Sequence, residues 1–108
     1  MLKANFITAQ EAAEKIQDGS TLCTIGMTLV SASESILKAI EKRFETVGHP
    51  ADITLVHSCG QSDRKDGIQH LAHEGLVKRI IGSHWGLQPR WMEMIANSQV
   101  EAYCLPQG

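Results

Sequence analysis

Chemistry-bearing residues fall in four places along this chain. "IIGSHWGLQPRW" (80–91) sets His84 and Trp85 side by side between Gly82 and Gly86, just after an apolar run. "GMTLVSASE" (26–34) runs from a glycine into a helix start. Exposed N–H groups and the helix dipole make such a turn suited to an anion or a developing oxyanion, although an ordinary strand–helix connection has the same spacing. "QHLAHEG" (69–75) offers His70, His73 and Glu74. A helix would put both histidines on one face, but His-Glu-x-x-His order and a third ligand are absent, so no metal site is expected. "SDRKDG" (62–67) reads first as a solvated loop, with Arg64 or Lys65 as alternative phosphate contacts. His57 and Cys59, two apart on a strand, share a side. Without a third positioned group they read as packing rather than as a nucleophile and its base.

The elements that must position these residues are legible from pattern. Thr8-x-x-Glu11 is a capping box opening a helix that runs to Asp18-Gly19. Ser31-x-x-Glu34 repeats that spacing, and Ile36, Leu37, Ile40, Phe44 and Val47 recur at helical intervals until Gly48-His49-Pro50. A short helical piece is expected from Ile68 to Leu76, and Pro89 suits the first turn of a helix over 90–98. Strand candidates are 21–25, 52–60, 77–83 and 100–106. Strands alternating with helices predict an α/β fold with an open, mostly parallel sheet flanked by helices. The strand candidates end at or near Gly26, Gly60, Gly82 and Gly108. In a parallel sheet those ends share one edge, where open α/β folds build ligand crevices. His84 and Trp85 leave a strand at that edge, where Trp85 can equally plug the top of the core while His84 bonds a neighbouring loop.

Composition bounds the function. The 108 residues make a single domain over 1–108, and 43% hydrophobic content with 20% charge is ordinary for a globular chain. A net charge of −2 gives no basic field for nucleic acid or anionic lipid. No apolar run reaches the ~20 residues of a membrane span, and no signal-peptide pattern opens the chain. Three widely spaced cysteines argue for reduced thiols and a cytoplasmic setting, not a disulfide framework or a Cys-x-x-Cys zinc site.

The phrases "GHP", "ITLVH", "LAHEGLVKR", "IGSHWG" and "EAY-LPQG" occur in an order and spacing that closely resemble the amino-terminal (alpha) half of acyl-CoA transferases of the propionate, acetate and acetoacetate type. The likeness spans residues 8 to 108. It implies transfer of coenzyme A between an acyl-CoA and a short-chain carboxylic acid, with coenzyme A as substrate and no metal or redox cofactor. It also implies that Gly26, Met27, Thr28, Ser31, Glu34, Gly60, Gln61, Asp63, His84, Trp85 and Gly86 line the CoA and acyl site. In that site Trp85 would be a rigid apolar wall and His84 a polar contact to ligand or a neighbouring loop. The family's glutamate nucleophile belongs to a carboxyl-terminal half with no counterpart here, so no catalytic residue is assigned to this chain. Residues 27–33 replace the several glycines and the proline usual in the family's first loop. The resemblance thus leaves two readings: part of a transferase completed by a carboxyl-terminal or beta half, or a non-catalytic remnant that binds CoA or a nucleotide and self-associates. Both readings expect a homo-oligomer or another chain at the open sheet edge.

Overall fold

The computed structural model describes residues 6–25, 34–58, 66–83, 85 and 88–106. In chain order the elements are α1 (Ala9–Glu14), β1 (Thr21–Thr24), α2 (Glu34–Val47), β2 (Ile53–His57), a 3₁₀ turn (Gly67–Leu71), β3 (Val77–Gly82), α3 (Pro89–Ala96) and β4 (Glu101–Cys104). The strands form one sheet in the order β1-β2-β3-β4, every neighbouring pair parallel.

Local chemistry explains most boundaries. At α1, the Thr8 side chain accepts from the Glu11 N–H and Glu11 reaches back to the Thr8 backbone, closing the box read in the sequence. The helix stops at Glu14 rather than continuing to Asp18. Its terminal carbonyls find another donor instead: Arg43 Nη1 bonds the oxygens of Ala13 and Ile16 at 3.0 and 2.8 Å. α2 ends as expected, with Gly48 at φ 74° and its N–H bonded to the Phe44 carbonyl at 2.8 Å. Within the described residues α2 begins at Glu34, and Ser31 lies outside them. The helical piece expected over 68–76 is only a 3₁₀ turn, with Ala72 closing it and a turn over 74–76 leading into β3. Pro89 opens α3 at its first positions.

The core lies on one side of the sheet. Ile53, Leu55, Val77 and Ile80 point into it and meet Ala13 of α1, Leu37 and Ile40 of α2, Ile68 and Leu71 of the turn, and Trp91 and Met94 of α3. A bulge near Lys78 shifts the register between Ile53↔Val77 and Thr54↔Arg79, which keeps both Val77 and Ile80 in the core. Trp91 Nε1 donates to the Ile68 carbonyl at 3.0 Å, so the largest core side chain leaves no orphaned donor. No helix among the described residues is long and apolar enough to cross a membrane.

Candidate functional site

Because all four strands run the same way, their carboxyl ends, at Thr24, His57, Gly82 and Cys104, share one edge of the sheet. The loops that carry most of the expected site residues leave from this edge. Gly26, Met27, Thr28, Ser31, Gly60, Gln61, Asp63, His84 and Gly86 lie outside the described residues, as do Cys59, Arg64 and Lys65. Glu34 and Trp85 are described, and each stands at the centre of a distinct cluster.

Trp85 is half-buried and packs against the core. Its indole Nε1 donates to Nε2 of the buried His57 at 2.9 Å. The two rings meet edge to face, with centroids 5.8 Å apart and planes at 73°. Accepting at Nε2 leaves the proton of a neutral imidazole on Nδ1. A Cβ at Gly82 would collide with the His57 ring. Gly82 is therefore needed for close approach of an aromatic ring to β3, not for an unusual turn. Ser83 Oγ donates to the Ser58 carbonyl at 2.6 Å, which ties the exit of β3 to that of β2.

The same edge holds buried polar groups that find no hydrogen bond among the described residues. Thr24, opposite His57 in the register, has an unpaired Oγ1. Gln88 donates its backbone N–H to the Trp85 carbonyl at 3.0 Å, yet neither polar atom of its fully buried side chain has a partner. Buried polar groups are ordinarily hydrogen-bonded, and both of these residues belong to segments near the strand ends: Thr24 closes β1 and Gln88 precedes α3. Pattern reading did not single out Thr24 or Gln88. Their only signal was position, one beside a predicted strand end and the other just before Pro89.

Glu34 belongs to a charged network under α2. His70 places Nε2 against a Glu34 oxygen, and its Nδ1 lies 3.0 Å from Glu41. Glu34 Oε2 also accepts from the Gly67 N–H at 3.0 Å. His73 Nε2 lies 2.6 Å from Glu41 and 3.1 Å from Arg90 Nη2. Burial pushes the Glu41 carboxyl up, but the bonds and charges of His73 and His70 outweigh it, and the group sits below its ordinary value. Glu74, the acid next to His73 in the sequence, accepts instead from Gln99. Apart from Asp66, 3.6 Å from His70, the acids that the histidines meet come from α2, some thirty residues earlier in the chain. Glu34, Asp66 and His70 each bring one ligand atom within 4.8 Å of the others, and so do Glu41, Glu45 and His73. In both groups the donors already bond one another, as an ion-pair network does.

The cysteines Cys23 and Cys104 are free and exposed. Arg79 bonds Glu101 at 2.9 Å and lies over the Tyr103 ring, away from the carboxyl edge.

Comparison with known proteins agrees with this architecture. Residues 6–108 match the profile described as coenzyme A transferase. The caffeate CoA-transferase of Acetobacterium woodii is 36% identical over 106 residues, which are 97% of this chain and 20% of that protein. The acetate CoA-transferase YdiF of Escherichia coli K12 is 35% identical over 94% of the chain and 20% of its own length. The acyl-CoA transferase YdiF of E. coli O157:H7, solved as a thioester complex with CoA, superposes with a TM-score of 0.85 at 32% identity, over 94% of this chain and 21% of that one. Its apoenzyme gives 0.86 at 33% identity. A variant of the decarboxylase AibA/AibB shares the fold, with a TM-score of 0.71 at 16% identity. The chain spans about a fifth of the length of the curated relatives it matches.

Proposed function

The chain belongs to the coenzyme A transferase family, and from that premise we propose that it is the amino-terminal part of a transferase. The whole enzyme would move coenzyme A between an acyl-CoA and a short-chain carboxylic acid in the cytoplasm. A carboxyl-terminal half, on the same or another polypeptide, would supply the glutamate nucleophile. Its carboxylate attacks the thioester carbon and expels CoA as thiolate, leaving an acyl–glutamyl anhydride. The thiolate then attacks the glutamyl carbonyl and releases the first acid, leaving a glutamyl–CoA thioester. The incoming carboxylate reverses both steps.

The share of this chain is binding and positioning. The observation that carries the reading is the carboxyl edge itself. There His57, bonded to Trp85 over Gly82, holds a flat aromatic wall, Thr24 stands opposite His57 in the register, and Gln88 bonds the Trp85 carbonyl through its backbone. An aromatic wall at a strand edge without a basic side chain among the described residues beside it suits an acyl or pantetheine segment better than a phosphate. The segments 26–33, 59–65 and 84–87 follow these strand ends in the chain, and Gly26, Gly60, Gln61, Asp63, His84 and Gly86 on them would line the site.

The test is to co-express the chain with YdiF lacking its matching amino-terminal portion and to assay CoA exchange between an acyl-CoA and acetate. Exchange with a hydroxylamine-sensitive enzyme–CoA adduct is expected. A complex that forms but neither exchanges CoA nor accumulates the adduct overturns the proposal. One observation favours a second reading, a CoA-binding module without activity. Residues 27–33 carry Met27, Thr28, Leu29 and Val30, whose side chains restrict backbone approach to a ligand. Saturable CoA binding without transfer would select it.

A further inference from the structure

The resemblance places Glu34 among the residues that line the CoA and acyl site, yet both of its carboxylate oxygens are engaged within the chain. Oε1 meets His70 Nε2, and Oε2 accepts from the Gly67 N–H at 3.0 Å. Asp66 Oδ1 lies 3.6 Å from the same ring nitrogen. The His70 ring is buried, and its Nδ1 lies 3.0 Å from Glu41, two turns further along α2. Where these residues stand in the chain gives the contacts their meaning. Segment 26–33 follows β1 and ends at Glu34, and segment 59–65 follows β2 and ends at Asp66. β1 and β2 are neighbours in the sheet, with Thr24 opposite His57, so the strands that lead into the two segments finish side by side. Glu34, Asp66, Gly67 and His70 bring the far ends together in the same way. The anchors are thus paired twice, by a parallel ladder at one end and by a carboxylate tie at the other.

We propose that Glu34 is a positioning residue for the CoA and acyl site. It ties the ends of segments 26–33 and 59–65 to each other through His70 and Gly67, rather than touching ligand itself. This assignment rests on the functional reading above, in which residues of both segments line the site, and adds what fixes their relative placement. Binding groups need such support, because a misplacement of about 1 Å can cost a hundredfold in rate. The tie is suited to the task. A carboxylate accepts more strongly than a neutral oxygen, and this one grips a ring nitrogen and a backbone N–H at once. One side chain therefore holds two separate points of the turn, His70 and Gly67, against the first turn of α2.

The test measures kcat and KM for an acyl-CoA in the chain co-expressed with YdiF lacking its matching amino-terminal portion, beside the urea stability of each variant. Glu34→Ala removes the tie and is expected to raise KM about tenfold, with a smaller change in kcat. Glu34→Gln keeps an oxygen for the Gly67 N–H and an amide against His70, and should restore most of the lost affinity. His70→Gln leaves Glu34 in place without its ring partner and should raise KM in the same direction. Arg43→Met removes the bonds to the Ala13 and Ile16 carbonyls, away from both segments, and should lower stability with KM unchanged. A wild-type KM in Glu34→Ala overturns the proposal, as does a KM that rises in Arg43→Met in step with lost stability. A KM raised by Glu34→Ala but not by His70→Gln makes Glu34 a ligand contact and overturns it too. If Glu34→Ala does not fold, His70→Gln against Arg43→Met decides by the same comparison. A wild-type complex that binds CoA without transfer removes the transfer reading, and the same comparison made on Kd then decides the tie. A wild-type complex that neither transfers nor binds CoA overturns both.

Discussion

Two histidine centres sit under the same sheet and use their rings in opposite ways. His57 is buried at a strand end, where it accepts one hydrogen bond from an indole and rests on a glycine. His70 is bonded on both nitrogens to carboxylates of α2, and His73 joins it on Glu41. The first centre is an indole–imidazole pair at the carboxyl edge of the sheet, where open α/β folds gather ligands. The second is charged and ties the 3₁₀ turn and the start of α3 to α2, through Glu34, Glu41 and Arg90. Histidine content alone therefore does not locate the site. The paired histidines that look most like chemistry serve as mortar, and the single strand histidine stands at the carboxyl edge of the sheet.

Removing His70 tests the mortar most severely. His70→Ala leaves the Glu34 and Glu41 carboxylates facing each other in a partly buried space, and breaking such a network costs roughly 3–5 kcal/mol. Urea unfolding should show that loss as a lower midpoint with an unchanged slope. A loss below ~1 kcal/mol would mean that the network is solvated and that the two centres do not differ in this way. Gly82→Ala strikes the other centre by driving a methyl into the His57 ring. Overpacking of this kind costs about 1–3 kcal/mol. It should also alter tryptophan emission, because Trp85 loses its acceptor geometry. His57→Leu keeps the apolar volume but leaves the indole N–H unpaired, for a smaller loss of about 1 kcal/mol. That variant should weaken CoA binding in the completed enzyme more than it weakens the fold, whereas His70→Ala should show the reverse order.

The smallest effect is in acid. The Glu41 carboxyl is held below its ordinary value of 4.5 in the folded chain. A carboxyl lowered by folding stabilises the native state above its unfolded pKa, and that contribution disappears as pH falls through the folded pKa. Stability measured from pH ~6 downward should therefore decline below about 4.5, and Glu41→Gln should make the decline shallower. Asp18, lowered by the Ala51 N–H and by His49, titrates in the same direction, so some acid sensitivity will remain.

The elements were legible wherever a local rule sufficed. The Thr8 box, the glycine and proline after Val47, and Pro89 at the start of α3 were each visible as letters, because capping and breaking involve near neighbours. The end of α1 was not, since its last carbonyls are satisfied by Arg43 from a helix nearly thirty residues later. Nor was the 3₁₀ turn, which Glu34 and Glu41 of α2 hold through Gly67 and His70. At the candidate site, the sequence offers His84 as a polar contact to ligand or to a neighbouring loop, and His84 lies outside the described residues. The histidine that Trp85 bonds is His57, for which the strand pattern offers only a shared side with Cys59.

The order of helices and strands, the parallel sense of the sheet and the family were determined by the sequence alone. Hydrophobic period, caps and ordered phrases are properties of the chain taken in order. Only tertiary structure decided that the described helices share one core on one face of the sheet. It also decided that Gly82 makes room for His57, and that the two histidines three apart pair with acids of α2 rather than with Glu74. These are meetings between residues distant in the chain. They follow from register and crossover handedness, which no local pattern of residue types encodes.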